Sequence, residues 1–166
     1  MNPELSKIFR EISNGDENAW QALLKLFNDK LLSVQDLEQL HIYIRQLEKK
    51  NPHGIYIHGL LYDYGIGVKQ DFELAFLYMR EAAGKGHTAA TYEVGNRFLQ
   101  GIGMEKNYHN AFQWLTVAAQ SPHYHPAAMN YLGVMYEQGL GVEKDPDKAQ
   151  QWFEKAAIKG YGKAQE

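Results

Sequence analysis

From Gly54 onward the chain is written three times over, which leaves it few folds to choose from. Gly59, Gly95 and Gly133 are separated by 36 and 38 residues. The same two steps join Tyr62, Phe98 and Tyr136, and then Asp71, Asn107 and Asp145. They join the loop pairs Gly65/Gly67, Gly101/Gly103 and Gly139/Gly141. Ala75, Ala111 and Ala149 keep the phase, as do Tyr78, Trp114 and Trp152. So do the pairs Ala82-Ala83, Ala118-Ala119 and Ala156-Ala157. A period of this length marks stacked supersecondary units, each too small to bury its apolar face without a neighbour.

Every copy reads as two helices. The first, around 53–64, 89–100 and 127–138, brings a small residue, a glycine and an aromatic onto one face at helical spacing. A mid-helix glycine costs about 1 kcal/mol against alanine, so its recurrence predicts a close helix contact that a Cβ would prevent. The Gly-x-Gly pair predicts the helix end, one glycine taking the left-handed C-cap conformation. Asp71, Asn107 and Asp145 stand where the N-cap of a second helix belongs. Pro146 follows at the first helical position, where its missing N–H is harmless.

The first fifty residues contain a weaker copy. Gly15, Ala19, Leu23, Leu24 and Phe27 have the spacing of Gly86, Ala90, Val94, Gly95 and Phe98, with Leu24 in place of the packing glycine. Residues 34–50 form an amphipathic segment through Leu37, Leu40, Ile44 and Leu47, and residues 3–13 a short helix expected to cap the stack. At the other end Ala164 is in phase with Ala128, so a further copy begins there.

Composition narrows the chemistry. Seventeen basic against twenty acidic residues give a net charge of −3 with no basic block, which indicates neither nucleic acid nor an anionic membrane as partner. The absence of cysteine removes disulfides, thiolate zinc sites and thiol catalysis. Residues 1–10 lack the basic and apolar regions of a signal peptide and no apolar run is bilayer length, so a cytoplasmic location is expected.

No catalytic constellation, metal ligand set or cofactor site stands out. Tyr64-Gly65-Ile66-Gly67-Val68-Lys69 lacks the phosphate-loop pattern and recurs at each helix end. His123-Tyr124-His125, bracketed by Pro122 and Pro126, lies in a connection two residues longer than its counterpart and reads as a solvated loop. The remaining histidines read as isolated surface or packing residues.

These motifs resemble the Sel-one-like repeat family, a branch of the tetratricopeptide-like α-solenoids. The third copy carries the pattern most fully: Ala128, Leu132-Gly133, Tyr136, Gly139-Leu140-Gly141-Val142, Asp145, Lys148-Ala149, Trp152, Ala156-Ala157 and Gly160. Copies one and two depart from it at Gly54, His58, Val94 and Met104. The resemblance implies an all-α, right-handed α/α superhelix of antiparallel helix pairs, with three clear repeats and one degenerate N-terminal repeat. Its expected organisation is a cap and degenerate repeat over 1–51, then repeats over 52–87, 88–125 and 126–163 of a continuous 52–166 segment. It also implies a non-enzymatic adaptor or scaffold that binds another protein. The alternative is a bacterial immunity protein or inhibitor that neutralises a toxin by direct binding.

By analogy with tetratricopeptide grooves, the first helices line a concave surface. Copy one would offer His53, Tyr56, Leu60, Asp63 and Tyr64, and copy two Tyr92, Asn96, Leu99 and Gln100. Copy three would offer Asn130, Val134, Glu137 and Gln138, and the degenerate copy Asn18, Gln21, Lys25 and Asn28. Aromatic anchors within a polar rim suit a protein hot spot. Rows built from Tyr56/Tyr92/Asn130 and Leu60/Asn96/Val134 lack the cations that an acidic tail would require.

Overall fold

The computed structural model describes residues 1–120 and 122–161. They form helices and no strand. In order these are α1 (Pro3–Ser13), α2 (Glu17–Asn28), α3 (Val34–Glu48), α4 (Pro52–Tyr64), α5 (Phe72–Gly84), α6 (Thr88–Gln100), α7 (Tyr108–Ala119), α8 (Pro126–Gln138) and α9 (Pro146–Ile158). Ala164, expected to open another copy, lies outside the described residues. The contacts divide the chain into two compact units, Met1–Lys85 and Gly86–Glu166.

Helix ends are fixed by local chemistry. Asp71, Asn107 and Asp145 each accept a hydrogen bond from the backbone N–H three residues on, at 2.9, 2.9 and 3.0 Å. Gly65, Gly101 and Gly139 take the left-handed conformation after α4, α6 and α8, as the Gly-x-Gly spacing predicts. The caps of α6 and α8 are histidines. Nδ1 of His87 accepts from the Ala90 N–H at 3.1 Å, and Nδ1 of His125 from the Ala128 N–H at 3.4 Å.

In the first unit, α1 packs on α2 and α3, and its Leu5, Ile8 and Ile12 are buried. Ser33 and Asp36 form a capping box at the start of α3. Asp36 also accepts from the Asn2 N–H at 2.7 Å, tying the N-terminal residues to α3. That bond, reinforced by Ser33, holds the Asp36 carboxyl below its ordinary value. The α4–α5 pair packs around Gly59, where an added Cβ would stand 3.0 Å from Tyr78 Cβ and 3.1 Å from the Ala75 carbonyl oxygen.

The second unit repeats this contact. A Cβ at Gly95 would meet Leu115 Cγ at 2.8 Å, and one at Gly133 would meet the Phe153 ring at 2.5 Å. Leu115 and Phe153 are in phase with Met79, which lies 3.4 Å from the corresponding point at Gly59. Each packing glycine therefore receives the same position of its second helix. The unit's core joins Ala111, Leu115, Ala118, Ala128, Leu132, Met135 and Ala156, flanked by Phe98, Phe112, Tyr131 and Trp152.

The pattern leucine replaced by His58 has a local explanation. His58 is buried, and its Nδ1 bonds to the Glu48 carboxylate of α3. The ring lies against Tyr78 and Tyr62, at centroid distances of 4.4 and 5.5 Å. Glu48→Ala is expected to destabilise the first unit by about 1–3 kcal/mol, because it removes the bond of a buried imidazole. His58→Leu, restoring the pattern residue, should cost clearly less, since the Glu48 carboxylate it leaves behind is partly exposed and can turn to water, whereas the imidazole is enclosed. Urea unfolding of both variants checks the order, and equal losses would refute it.

Acid should loosen the fold. Burial pushes the imidazoles of His41 and His53 below their ordinary value of 6.5. The bond from His41 Nε2 to the Ile66 carbonyl, at 2.8 Å, offsets only part of this. A depressed folded pKa means that the unfolded chain takes up the proton first. The associated stability is complete above about pH 6.5 and is lost as the pH falls toward the folded values. Thermal melts should therefore fall between pH 7.5 and 5, and fall less in His41→Asn/His53→Asn. A melting temperature that does not move across this range would contradict both assignments.

Candidate functional site

First helices carry the side chains expected to meet a partner, and the structure treats them unequally. In the first unit, Tyr64 ends α4 with 46% of its surface exposed, its ring edge-on to Trp20 at 5.4 Å. Tyr56 is half-buried, with the His53 ring 6.3 Å away. Asp63 is partly exposed, and its backbone carbonyl accepts from Gln70 Nε2 at 2.7 Å. Leu60 is only 6% exposed. It belongs to the core face of α4 and offers a ligand little surface, contrary to the groove expectation.

In the second unit Tyr92 stacks on His125 at 4.3 Å and 10° and lies 6.2 Å from Tyr131. Removal from water, more than its neighbours Tyr131 and Glu93, pushes the phenol far above its ordinary value. Tyr92 thus stays a neutral ring held by packing. Asn96 accepts from Gln100 Nε2 at 2.7 Å, and Leu99 is half-buried against the core. Val134 is half-exposed and Glu137 exposed on α8. Asn130, 5% exposed, is the second departure from the expected groove, since it is enclosed within α8's buried face.

The histidine-rich connection also differs from its sequence reading. His125 caps α8 and stacks on Tyr92, and His123 Nδ1 lies 2.6 Å from the Thr88 hydroxyl. Both rings are half-buried rather than solvated. The signal was present in phase: His87 and His125 are 38 residues apart, immediately before equivalent first helices. Phase bears on Arg97 as well. It stands in phase with the fully buried Leu61 and Met135, is itself 4% exposed, and faces Glu93 one turn earlier at 3.9 Å.

Among the described residues no group of three or more His, Asp or Glu side chains is arranged to hold a metal ion. Nor is any of their helices long and apolar enough to cross a membrane. What the geometry provides is helical surface that carries exposed aromatic, aliphatic and acidic side chains on capped and closely packed scaffolds.

Comparison with known proteins accords with this architecture. The model of the Sel1 repeat matches residues 52–87, 88–123 and 126–161. A Sel1 repeat protein from Oxalobacter formigenes is similar in structure over 99% of this chain and 64% of its own, with a TM-score of 0.71 and 28% identity. The protective antigen c5321 of uropathogenic Escherichia coli, which displays an SLR fold, gives a TM-score of 0.72 at 27% identity over 94% of this chain and 33% of its own. The chain thus spans just under two thirds of the first protein and one third of the second. The cysteine-rich protein B of Helicobacter pylori, at 19% identity and a TM-score of 0.60, shares the fold. A search of curated protein sequences gives no match. The fold is the all-α helical-repeat solenoid that the sequence predicts.

Proposed function

The chain belongs to the Sel1 repeat family, and from that premise we propose that it is a non-catalytic adaptor that binds another protein through the first-helix faces of its units. Sel1 repeat proteins are generally protein-interaction modules built on a non-catalytic scaffold. The observation that carries the reading is the division of labour among residues. The in-phase glycines, alanines and caps are absorbed by packing and helix ends. The side chains left outward on α4, α6 and α8 differ from copy to copy, among them Tyr64, Gln100, Val134 and Glu137. A conserved frame with variable outward residues is how a helical repeat selects a partner.

Affinity capture with the tagged chain, from cells that make it, tests the reading. Wild type should retain a defined protein. Tyr64→Ala and Val134→Ala/Glu137→Ala should each weaken that binding about tenfold or more, as hot-spot truncations do, with far-UV circular dichroism unchanged. Full-strength binding by both variants would place the contact elsewhere. Tyr92 is a poor probe, because its stack on His125 makes it structural as well. Several unrelated partners would mark a general adaptor. A single stoichiometric partner whose activity disappears on binding would mark an inhibitor.

A further inference from the structure

The connection between α7 and α8 leaves an opening that the first copy lacks the sequence to build. Ala119 to Ala128 spans two more residues than Ala83 to Ala90. Helix α7 stops at Ala119, one residue before the position at which α5 ends, and its C-cap Gln120 is extended at φ −104° and ψ 175°. The chain then turns back on itself. The N–H groups of His123 and Tyr124 both donate to the Gln120 carbonyl, and the His125 N–H donates to that of Ala118.

This turn holds Tyr124 at φ +47°, a left-handed conformation uncommon for an aromatic residue, with the ring half in solvent. Strain of this kind concentrates at functional sites. Beside it lies an open cavity of about 500 Å³, within the range of small-ligand and side-chain pockets. Met129 and Trp152 supply apolar lining, and Ile158, 84% exposed, stands at its side.

Its charge is one-sided. Lys155 and Lys159 line the cavity, and among the described residues no acidic one does. Lys155 Nζ lies 4.3 Å from the Trp152 ring centroid, and Lys159 Nζ 5.3 Å from that of Tyr124. The C-terminal dipole of α9 favours cations here, but two lysines one turn apart repel each other. Neither meets a carboxylate among the described residues. An apolar hollow with two cations and, among the described residues, no anion is complementary to an apolar side chain flanked by carboxylates.

We propose that the cavity between the α7–α8 turn and α9 is a docking site for an acidic–apolar peptide segment of a partner protein. Its apolar side chain enters between Trp152, Met129 and Tyr124, and its carboxylates pair with Lys155 and Lys159. The proposal rests on the reading of the chain as a protein-binding module but concerns a surface other than the first-helix faces.

The test uses the full chain and a hexapeptide in which leucine and phenylalanine are flanked by two glutamates on each side. Its titration should shift the ¹⁵N indole resonance of Trp152 saturably, with a dissociation constant below about 1 mM. The analogue with lysines for glutamates should not bind. Lys155→Glu/Lys159→Glu, both exposed positions that leave the fold intact by circular dichroism, should weaken the acidic peptide at least tenfold. Equal binding of the two peptides, an unmoved Trp152 indole, or an unaffected charge-reversal variant would overturn the proposal. So would binding of decanoate in place of the peptide, or concentration-dependent dimerisation that protects the Trp152 indole. Failure here leaves the capture experiment standing, whereas loss of partner capture only in the first-helix variants would locate the adaptor surface away from this cavity.

Discussion

Gly54→Ala is expected to destabilise the first unit by about 3 kcal/mol or more, placing it among the severe single substitutions. By helix propensity alone the change should help, since alanine exceeds glycine by about 1 kcal/mol inside a helix. The obstacle is backbone. A Cβ at Gly54 would lie on the Glu48 amide nitrogen, 2.5 Å from the Leu47 carbonyl carbon and 2.8 Å from the Glu48 Cα. No rotamer change relieves such a contact, so α4 must move away from the end of α3. That movement would also disturb the Asn51 cap, which accepts from the Gly54 N–H at 3.0 Å. Gly84→Ala is the control. Gly84 is exposed, at the end of α5, with nothing within 4 Å of its added Cβ, and the same substitution there should be neutral or stabilising by up to about 1 kcal/mol. Thermal denaturation distinguishes the two, with a fall on the order of 10 °C expected for Gly54→Ala. If the variants melt together, the approach of α3 does not limit residue 54.

Gly141→Ala should be comparably damaging to the second unit, through two additive causes. Gly141 has φ +68°, a conformation that costs an L-residue about 1–2 kcal/mol. Its added Cβ would also collide with the Tyr108 carbonyl, 2.5 Å from the carbon, and stand 2.9 Å from the His109 nitrogen at the start of α7. Together these predict a loss of about 3 kcal/mol or more. Gly139→Ala isolates the first cause. It has φ +70°, but its nearest neighbour is the Lys144 Cβ at an ordinary 3.5 Å, so only the conformational cost of about 1–2 kcal/mol applies. Urea unfolding should rank Gly141→Ala well below Gly139→Ala. Equal midpoints would mean that the approach of α7 is not limiting. Gly141 is thus a seat for the preceding helix α7 as well as part of a helix stop. Gly67 follows the same rule, with Leu37 and His41 of α3 at 3.0–3.2 Å.

The candidate surface is less legible than the scaffold. Tyr56, Tyr92 and Asn130 share one phase, and Leu60, Asn96 and Val134 another. Phase predicts which way a Cα–Cβ bond leaves its helix, but not what encloses it. Leu60 and Asn130 are buried while Asn96 and Val134 remain half-exposed, because burial depends on the size and position of side chains on other helices. The histidine caps leave a faint mark in the sequence because His is an unusual N-cap, although the neutral ring has the lone pair the role requires.

What the sequence determined by itself is therefore the set of helices, their caps and stops, and the recurring glycine contacts. Each depends on a backbone requirement that few residue types satisfy: an acceptor at an N-cap, a left-handed C-cap, or a missing Cβ. Such requirements restrict the residue at one position and leave a mark that a period reveals. Only the tertiary structure decided that Gly54 faces the backbone of α3, that Glu48 accompanies His58, that Tyr92 stacks on His125, and that two lysines share a hollow with Trp152 and Tyr124. These are pairings between separate elements, and the physical constraint lies in the distance between two side chains rather than in either residue alone.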